Sequence, residues 1–298
     1  MRGVGKAGRT LGRPGPRGRR RLGVAHRCPE RLRSTAVTLL CCLTGAAAVG
    51  AVLLGAQSVE HTLALEAPDG LRAQAPGSEP AQAVAPQRAG SRYTAPRPRI
   101  VPRTAWVDAT MRHRQPPPRY DDKVVAVFVH HTDSPNDYDC ADVPRIIRHL
   151  YAGQTGARNW DDIGYNFLVD RCGTIYEGRA GGVDRPVTGA HTQGFNHRTA
   201  GIAAIGTFSA GTPVPRAMTD AIAAVAAWKL GLAGVDPRSS VTLVSSNTLS
   251  RYPVGTTALL PALAGHNDGF RTDCPGAALT VRLPAIREAA ARLQGRRR

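Results

Sequence analysis

The chain has 298 residues, 42% hydrophobic and 20% charged, which allows one domain of ordinary size with additional segments. A formal net charge of +17 invites a nucleic-acid reading. The excess is uneven, however: Met1–Arg33 holds eleven Lys or Arg against one acid, Glu30, and the next segment gives those charges a different use, which removes nucleic acid from the expected partners.

Ala36–Ala56 is a continuous apolar run without a charge. About twenty such residues span a bilayer, and arginines ahead of them orient the N-terminus toward the cytoplasm. Ala56-Gln57-Ser58 fits a small-residue cleavage site. Residues 1–35 therefore read as a basic N-terminal region and 36–58 as either a signal peptide or a membrane anchor. Both send the rest of the chain out of the cytoplasm, to the cell wall or the medium, with membrane contact only through the apolar segment. Residues 59–98 are Ala, Pro, Gln, Gly and Ser with scattered charges, the composition of a disordered linker. The folded domain is expected over 99–298.

Within it, Val124–Thr132 reads as a buried strand that delivers a histidine at its end. A helix is expected from about Asp142 to Gln154, with Asp142 as N-cap and Pro144 in the first turn. Val143, Ile146, Ile147, Leu150 and Tyr151 form its apolar face. A strand runs to Asp170, Arg171-Cys172-Gly173 turns the chain, and Thr174–Gly178 returns. Gly201–Phe208 is another short buried strand. A helix follows over about Ala217–Leu232, then an extended Val241–Val244, and a last helix over about Pro284–Gln294. Strands and helices interleave, which predicts an α/β fold: a single domain with a mixed central β-sheet flanked by helices.

Gly265–Gly276 carries a histidine and a cysteine, His266 and Cys274, in H-x7-C spacing within a glycine- and proline-rich stretch. Imidazole nitrogen and thiolate sulfur are donors that zinc prefers. A third donor, His130, is available at the end of the Val124–Thr132 strand. Three protein ligands and one water make the usual layout of a catalytic zinc, one ion per chain.

Of six cysteines, Cys28, Cys41 and Cys42 lie in the export segment. If Cys274 holds metal, Cys140 and Cys172 are left to pair, and outside the cell a disulfide is the expected state; two unrelated buried thiols are the alternative. The bond would close a loop of about 33 residues, a stabilisation of roughly 3.5–4 kcal/mol by chain entropy.

Six segments now stand in order: V-x-V-H-H-T (Val127–Thr132), W-x-D-I-G-Y-N-F (Trp160–Phe167), I-Y-E-G-R (Ile175–Arg179), G-A-H-T-x-G-x-N (Gly189–Asn196), G-I-x-x-I-G-x-F (Gly201–Phe208) and G-H-x-D-x-x-x-T-x-C-P-G (Gly265–Gly276). Together they resemble the peptidoglycan recognition proteins and the related zinc-dependent N-acetylmuramoyl-L-alanine amidases, over about Arg99–Gln294. The resemblance implies a mixed sheet with a zinc-containing cleft and His130, His266 and Cys274 as ligands. It implies Tyr165 and Thr272 as catalytic residues, Thr272 at a position that varies among relatives, and His191 and Asn196 as contacts to the muropeptide. His131 falls where relatives vary and is expected to be structural or to support the ligands. Glu177 and Arg179 are expected to form a structural ion pair.

The reaction implied is hydrolysis of the amide between N-acetylmuramic acid and L-alanine in peptidoglycan, by a monomer. The chief rival is a non-catalytic peptidoglycan-binding module, which commonly lacks a metal ligand; this chain keeps all three. A structural zinc site would need His131 or His191 as a fourth ligand. A zinc peptidase cutting inside the stem peptide would release a different amine.

Overall fold

The computed structural model describes residues 92–108, 111 and 115–297. The basic region, the apolar segment 36–58 and most of the linker lie outside the described residues. Within the described residues, no helix is long and apolar enough to cross a membrane.

The sheet is built from β1 (Ile100–Val101), β2 (Ala126–His131), β3 (Phe167–Val169), β4 (Ile175–Glu177), β5 (Thr199–Ala204) and β8 (Leu263–Gly265), in the order β1-β4-β3-β5-β2-β8. Only β3 and β4 pair antiparallel, through the expected Arg171–Gly173 turn; the other pairs are parallel. The sheet is therefore mixed, as the interleaved elements predict. Parallel strands covered on both faces bury every residue, and Ala126 to His130 are all at 0% exposure.

The two faces have different partners. Val127, Val129, Phe167 and Ile202 pack with α2 (Arg216–Gly231) and α5 (Leu283–Leu293) through Ile222, Trp228 and Ile286. Leu168, Ala203 and Ile205 face α1 (Val143–Ala152), whose Val143, Ile147 and Tyr151 lie one turn apart on its buried stripe. Alternation along β2 puts Phe128 and His130 on the face opposite α2.

The first helix starts differently from its expectation. Asp139, not Asp142, accepts from the Ala141 amide at 2.9 Å and caps a 3-10 turn, Cys140–Asp142, that leads into α1. Asp142 instead faces Arg145 at 3.2 Å. Beyond Ala152 the helix widens into a π turn over Gly153–Ala157, where two glycines leave room. Gln154 is turned inward there, and its side-chain oxygen accepts from Gly164 N at 2.9 Å.

The strand expected at Gly201–Phe208 begins two residues earlier and ends before Gly206, whose φ of +132° breaks the ladder. Val241–Val244 belongs to β6 (Ser240–Val244), which pairs antiparallel with β7 (Thr257–Pro261), a strand not anticipated. Residues 92–98, counted with the linker, lie against the domain: Arg97 pairs with Asp184 at 2.9 Å and sits over the Trp228 ring of α2, and Arg296 stacks over the Tyr93 ring at 4.3 Å. Cys140 and Cys172 are bonded, tying the turn before α1 to the β3–β4 turn across a separation of 32 residues. By loop-closure entropy that cross-link contributes about 3–4 kcal/mol.

Lys229 on α2 is 1% exposed, and its ammonium donates to the carbonyls of Val183 at 2.9 Å and Arg185 at 3.1 Å. Burial pulls its pKa from 10.5 down to about 8, with Asp184 opposing. The folded chain thus sheds this proton before the unfolded chain does. The cost of the buried charge is full below about pH 8 and is relieved as pH rises toward 10.5. Between pH 7 and 10 the wild type should gain about 2 kcal/mol relative to Lys229→Met, by urea unfolding of both. A difference that stays constant with pH would contradict this placement of the charge.

Candidate metal centre

Two adjacent parallel strands gather the centre. In the β2–β8 register Val129 lies beside Gly265. The next residue of each strand line is a histidine, His130 on β2 and His266 as the first residue of α3 (His266–Gly269). Both imidazoles thus leave the carboxyl ends of neighbouring strands, where open α/β sheets place their ligands. Asp268 Oδ2 accepts from Gly265 N at 2.9 Å, which caps α3 and fixes the direction in which His266 departs.

The return of Cys274 is set by backbone bonds. Asn267 N donates to Cys274 O at 3.0 Å. Thr272 Oγ1 accepts from Cys274 N at 3.2 Å. At Gly276 φ is +90°, and a side chain there would strike the Phe208 carbonyl, so only glycine turns the chain away. It leads into α4 (Ala277–Thr280).

The donor atoms of His130, His266 and Cys274 all lie within 4.8 Å of one another. Cys274 Sγ is 3.9 Å from His130 Nδ1, and the rings of His130 and His266 have centroids 4.4 Å apart. His130 Nε2 is occupied by His191 Nδ1 at 3.2 Å, so Nδ1 is the nitrogen that faces the cluster. Burial, then the neighbouring histidines, holds His130 well below its ordinary pKa. Burial takes His266 to about 4 and the Cys274 thiol up to about 12, while the His131 amide, 3.2 Å from the sulfur, pulls the thiol back. Two neutral imidazoles and one sulfur, gathered with no competing carboxylate, fit a zinc ion. The only other such group among the described residues, Cys140, Asp170 and Cys172, has both sulfurs in the disulfide.

Tyr165 lies next to the centre, its ring centroid 5.2 Å from that of His130. Burial raises the pKa of its hydroxyl, and Cys274 adds to the shift, so the phenol is a donor at neutral pH. The hydroxyl is hydrogen-bonded to no described residue. His131 supports the sulfur through its backbone and faces the Phe208 amide with its ring at 3.5 Å. Thr272 lines a cavity of about 750 Å³ beside Cys274.

His191 and Asn196, expected at the muropeptide, each have partners inside the protein. His191 is 7% exposed and wedged between the backbones of Gly189 and Gly201, behind His130. Asn196 Oδ1 accepts from His191 N and Thr192 N, both at 2.9 Å, and so staples the loop that carries His191. The rest of Asn196 lines a second cavity, of about 490 Å³. The ion pair expected between Glu177 and Arg179 is not formed. Glu177 accepts from Arg103 N at 3.0 Å, and Arg179 turns to the second cavity. As residues i and i+2 they would share a face of a continued strand, but β4 ends at Glu177 and the two side chains take different partners.

An added Cβ at Gly201 would sit 2.5 Å from His191 Cγ. Gly201→Ala should therefore displace the ring that holds His130 Nε2, lowering stability by about 1–3 kcal/mol and weakening zinc binding by competition with a chromophoric chelator. A lower Tm with unchanged zinc affinity would separate His191 from the centre.

A model of the N-acetylmuramoyl-L-alanine amidase family matches residues 120–277, more than half of the chain. The chain belongs to this family. Every expected site residue, from His130 to Cys274, falls inside the matched region. N-acetylmuramoyl-L-alanine amidase of Homo sapiens is 32% identical over 187 residues, covering 61% of this chain and 27% of that protein. Peptidoglycan-recognition protein LE of Drosophila melanogaster is 34% identical over 119 residues, 40% of this chain and 33% of that protein. Among solved structures, Drosophila PGRP-LB is similar at 25% identity, covering 63% of this chain and 93% of that one with a TM-score of 0.47. The chain spans about a quarter to a third of the length of the first curated relatives it matches.

Proposed function

We propose that this chain hydrolyses, with one zinc ion, the amide joining the lactyl group of N-acetylmuramic acid to L-alanine in peptidoglycan. The observation that carries the reading is the complete donor set, His130, His266 and Cys274, within 4.8 Å in a chain of the amidase family. A non-catalytic binding module would not need three donors converged beside an unengaged tyrosine hydroxyl.

When bound, zinc supplies a Lewis acid and a water of lowered pKa. The chain's own groups do the rest. His191 orients His130 through Nε2, leaving Nδ1 for the metal. The His131 amide stabilises negative charge on Cys274 Sγ. The Tyr165 hydroxyl donates to the carbonyl oxygen as it gains charge in the tetrahedral transition state. Collapse then releases the stem peptide with a free alanine amine and leaves the lactyl carboxylate on the glycan. The disulfide and the arginine-flanked apolar segment support a site of action outside the cytoplasm.

Mass spectrometry of products from purified sacculi tests this. Stem peptides with free amino-terminal alanine and intact lactyl-muramic acid are expected. Amines arising inside the stem would point to a peptidase, and bound but uncut sacculi to a recognition module.

A further inference from the structure

We propose that Arg251, in the loop that joins β6 to β7, is a positioning residue of the metal centre: its guanidinium holds the single helical turn α3 so that His266 stays aimed at His130 and Cys274. The inference rests on the zinc reading above and is independent of which bond the chain cuts.

The need for such a hold comes from α3 itself. It is four residues long and closes on one bond, Phe270 N to His266 O at 3.0 Å. A lone turn fixes several dihedrals for one hydrogen bond and does not sustain itself. Its later carbonyls have no partner within the helix. Asp268 settles how the chain enters the turn, through Gly265 N. Arg251 settles how the chain leaves it. The Arg251 amide donates to Gly269 O at 3.0 Å, and Nη1 donates to Asn267 O at 2.7 Å, a charge-assisted bond. Asn267 directly follows the ligand His266, and its own amide donates to Cys274 O at 3.0 Å. Residue 267 is thus gripped on both sides, by the backbone of Cys274 and by the Arg251 side chain. The backbone that sets the direction of His266 cannot turn without breaking one of these bonds.

Arg251 is in turn fixed from behind. Ser245 and Ser250 of the same loop are buried, with hydroxyls 2.8 Å apart, and the Ser250 hydroxyl donates to Tyr252 O. Ser246 N donates to Gly194 O at 2.9 Å, in the segment that carries His191. Tyr252 packs edge-on against Phe195 of that segment, with centroids 5.7 Å apart. One loop therefore braces both the segment that backs His130 and the segment that carries His266. The Arg251 side chain itself is exposed. Removing it opens no cavity, so its effect on the centre can be read apart from its effect on the fold.

The test measures metal binding by the full chain. Zinc affinity is read by competition with a chromophoric chelator. Cobalt(II) in place of zinc is read by its visible absorption, whose bands report the ligand geometry. Arg251→Ala keeps the amide bond to Gly269 and deletes only the guanidinium. It should weaken zinc binding on the order of 10-fold, the lower end of what losing a group that supports a ligand costs. The cobalt spectrum should change with it, while Tm moves little. Arg251→Lys, which offers Asn267 O a single ammonium donor, should recover part of both. Arg238→Ala removes a comparable tether, to Asp236 at 2.9 Å and Arg297 O at 3.3 Å, and should alter neither readout. An Arg251→Ala protein with the zinc affinity and cobalt spectrum of the wild type, whatever its Tm, would overturn the proposal and leave Arg251 an ordinary loop tether. Should Arg251→Ala fail to fold, Arg251→Gln, which keeps the stem without the charge, takes its place with the same expected and overturning results. A wild type without stoichiometric zinc would remove the metal centre and this inference together. A wild type that binds zinc without cutting peptidoglycan would remove the hydrolase and leave the role of Arg251 standing.

Discussion

Cys274→Ala should leave a folded protein without zinc and without turnover. Metal analysis is expected to fall from about one ion per chain to near none, and kcat on a muropeptide by roughly 10⁴-fold or more, the scale on which loss of an essential catalytic group registers. The sulfur is the one donor that brings negative charge to the ion, and its loss leaves two neutral imidazoles. The bonds that shape the loop do not depend on it: Asn267 N to Cys274 O and Cys274 N to Thr272 Oγ1 are made by the backbone of residue 274. The fold should therefore survive, and circular dichroism and Tm serve as controls. His130→Ala should lose metal and turnover as well, but with a lower Tm, because His130 is wholly buried against Tyr165 and His191 and its removal leaves a cavity. A Cys274→Ala protein that retains one tightly bound zinc would remove the sulfur from the centre.

Tyr165→Phe should separate binding from chemistry. The Tyr165 hydroxyl bonds to no other described residue, so removing it breaks no contact that the fold relies on, while the ring stays against His130. It is assigned to charge that develops only in the transition state, so zinc content and muropeptide affinity should hold while kcat falls about 10²–10³-fold, roughly 3–4 kcal/mol. Thr272→Ala should cost less in kcat, because its oxygen already accepts from Cys274 N and its absence only loosens the loop. If kcat of Tyr165→Phe, with zinc confirmed, stays within a few-fold of the wild type, the tyrosine is a packing residue and the donor must be sought elsewhere.

Much of the scaffold is local enough to be written in the sequence. The apolar run Val124–Val129 has one stable fate, a strand buried on both faces, and it must carry His130 to its end. The stripe Val143, Ile147 and Tyr151 dictates α1, and the β3–β4 hairpin follows from a short glycine turn between two apolar runs. His266 and Cys274 share one short loop, so their common purpose is legible from spacing and donor chemistry. Once Cys274 has a use, Cys140 and Cys172 have only each other, as the bond between them shows. Other features depend on partners far away in the chain. That β8 lies beside β2, and so sets His266 beside His130, is a choice of strand order that neither segment encodes alone. β7 escaped notice because an edge strand ending in Pro261 takes its definition from β6 across a long loop. Glu177 and Arg179 look like an ion pair in sequence, yet the strand sends one to Arg103 and the other into a cavity. His191 carries the same letters whether it greets a substrate or stands behind a ligand. Only packing, through the bare backbones of Gly189 and Gly201, puts it against His130 Nε2, because burial and hydrogen-bond geometry are properties of the assembled sheet and not of the eight-residue segment that contains it.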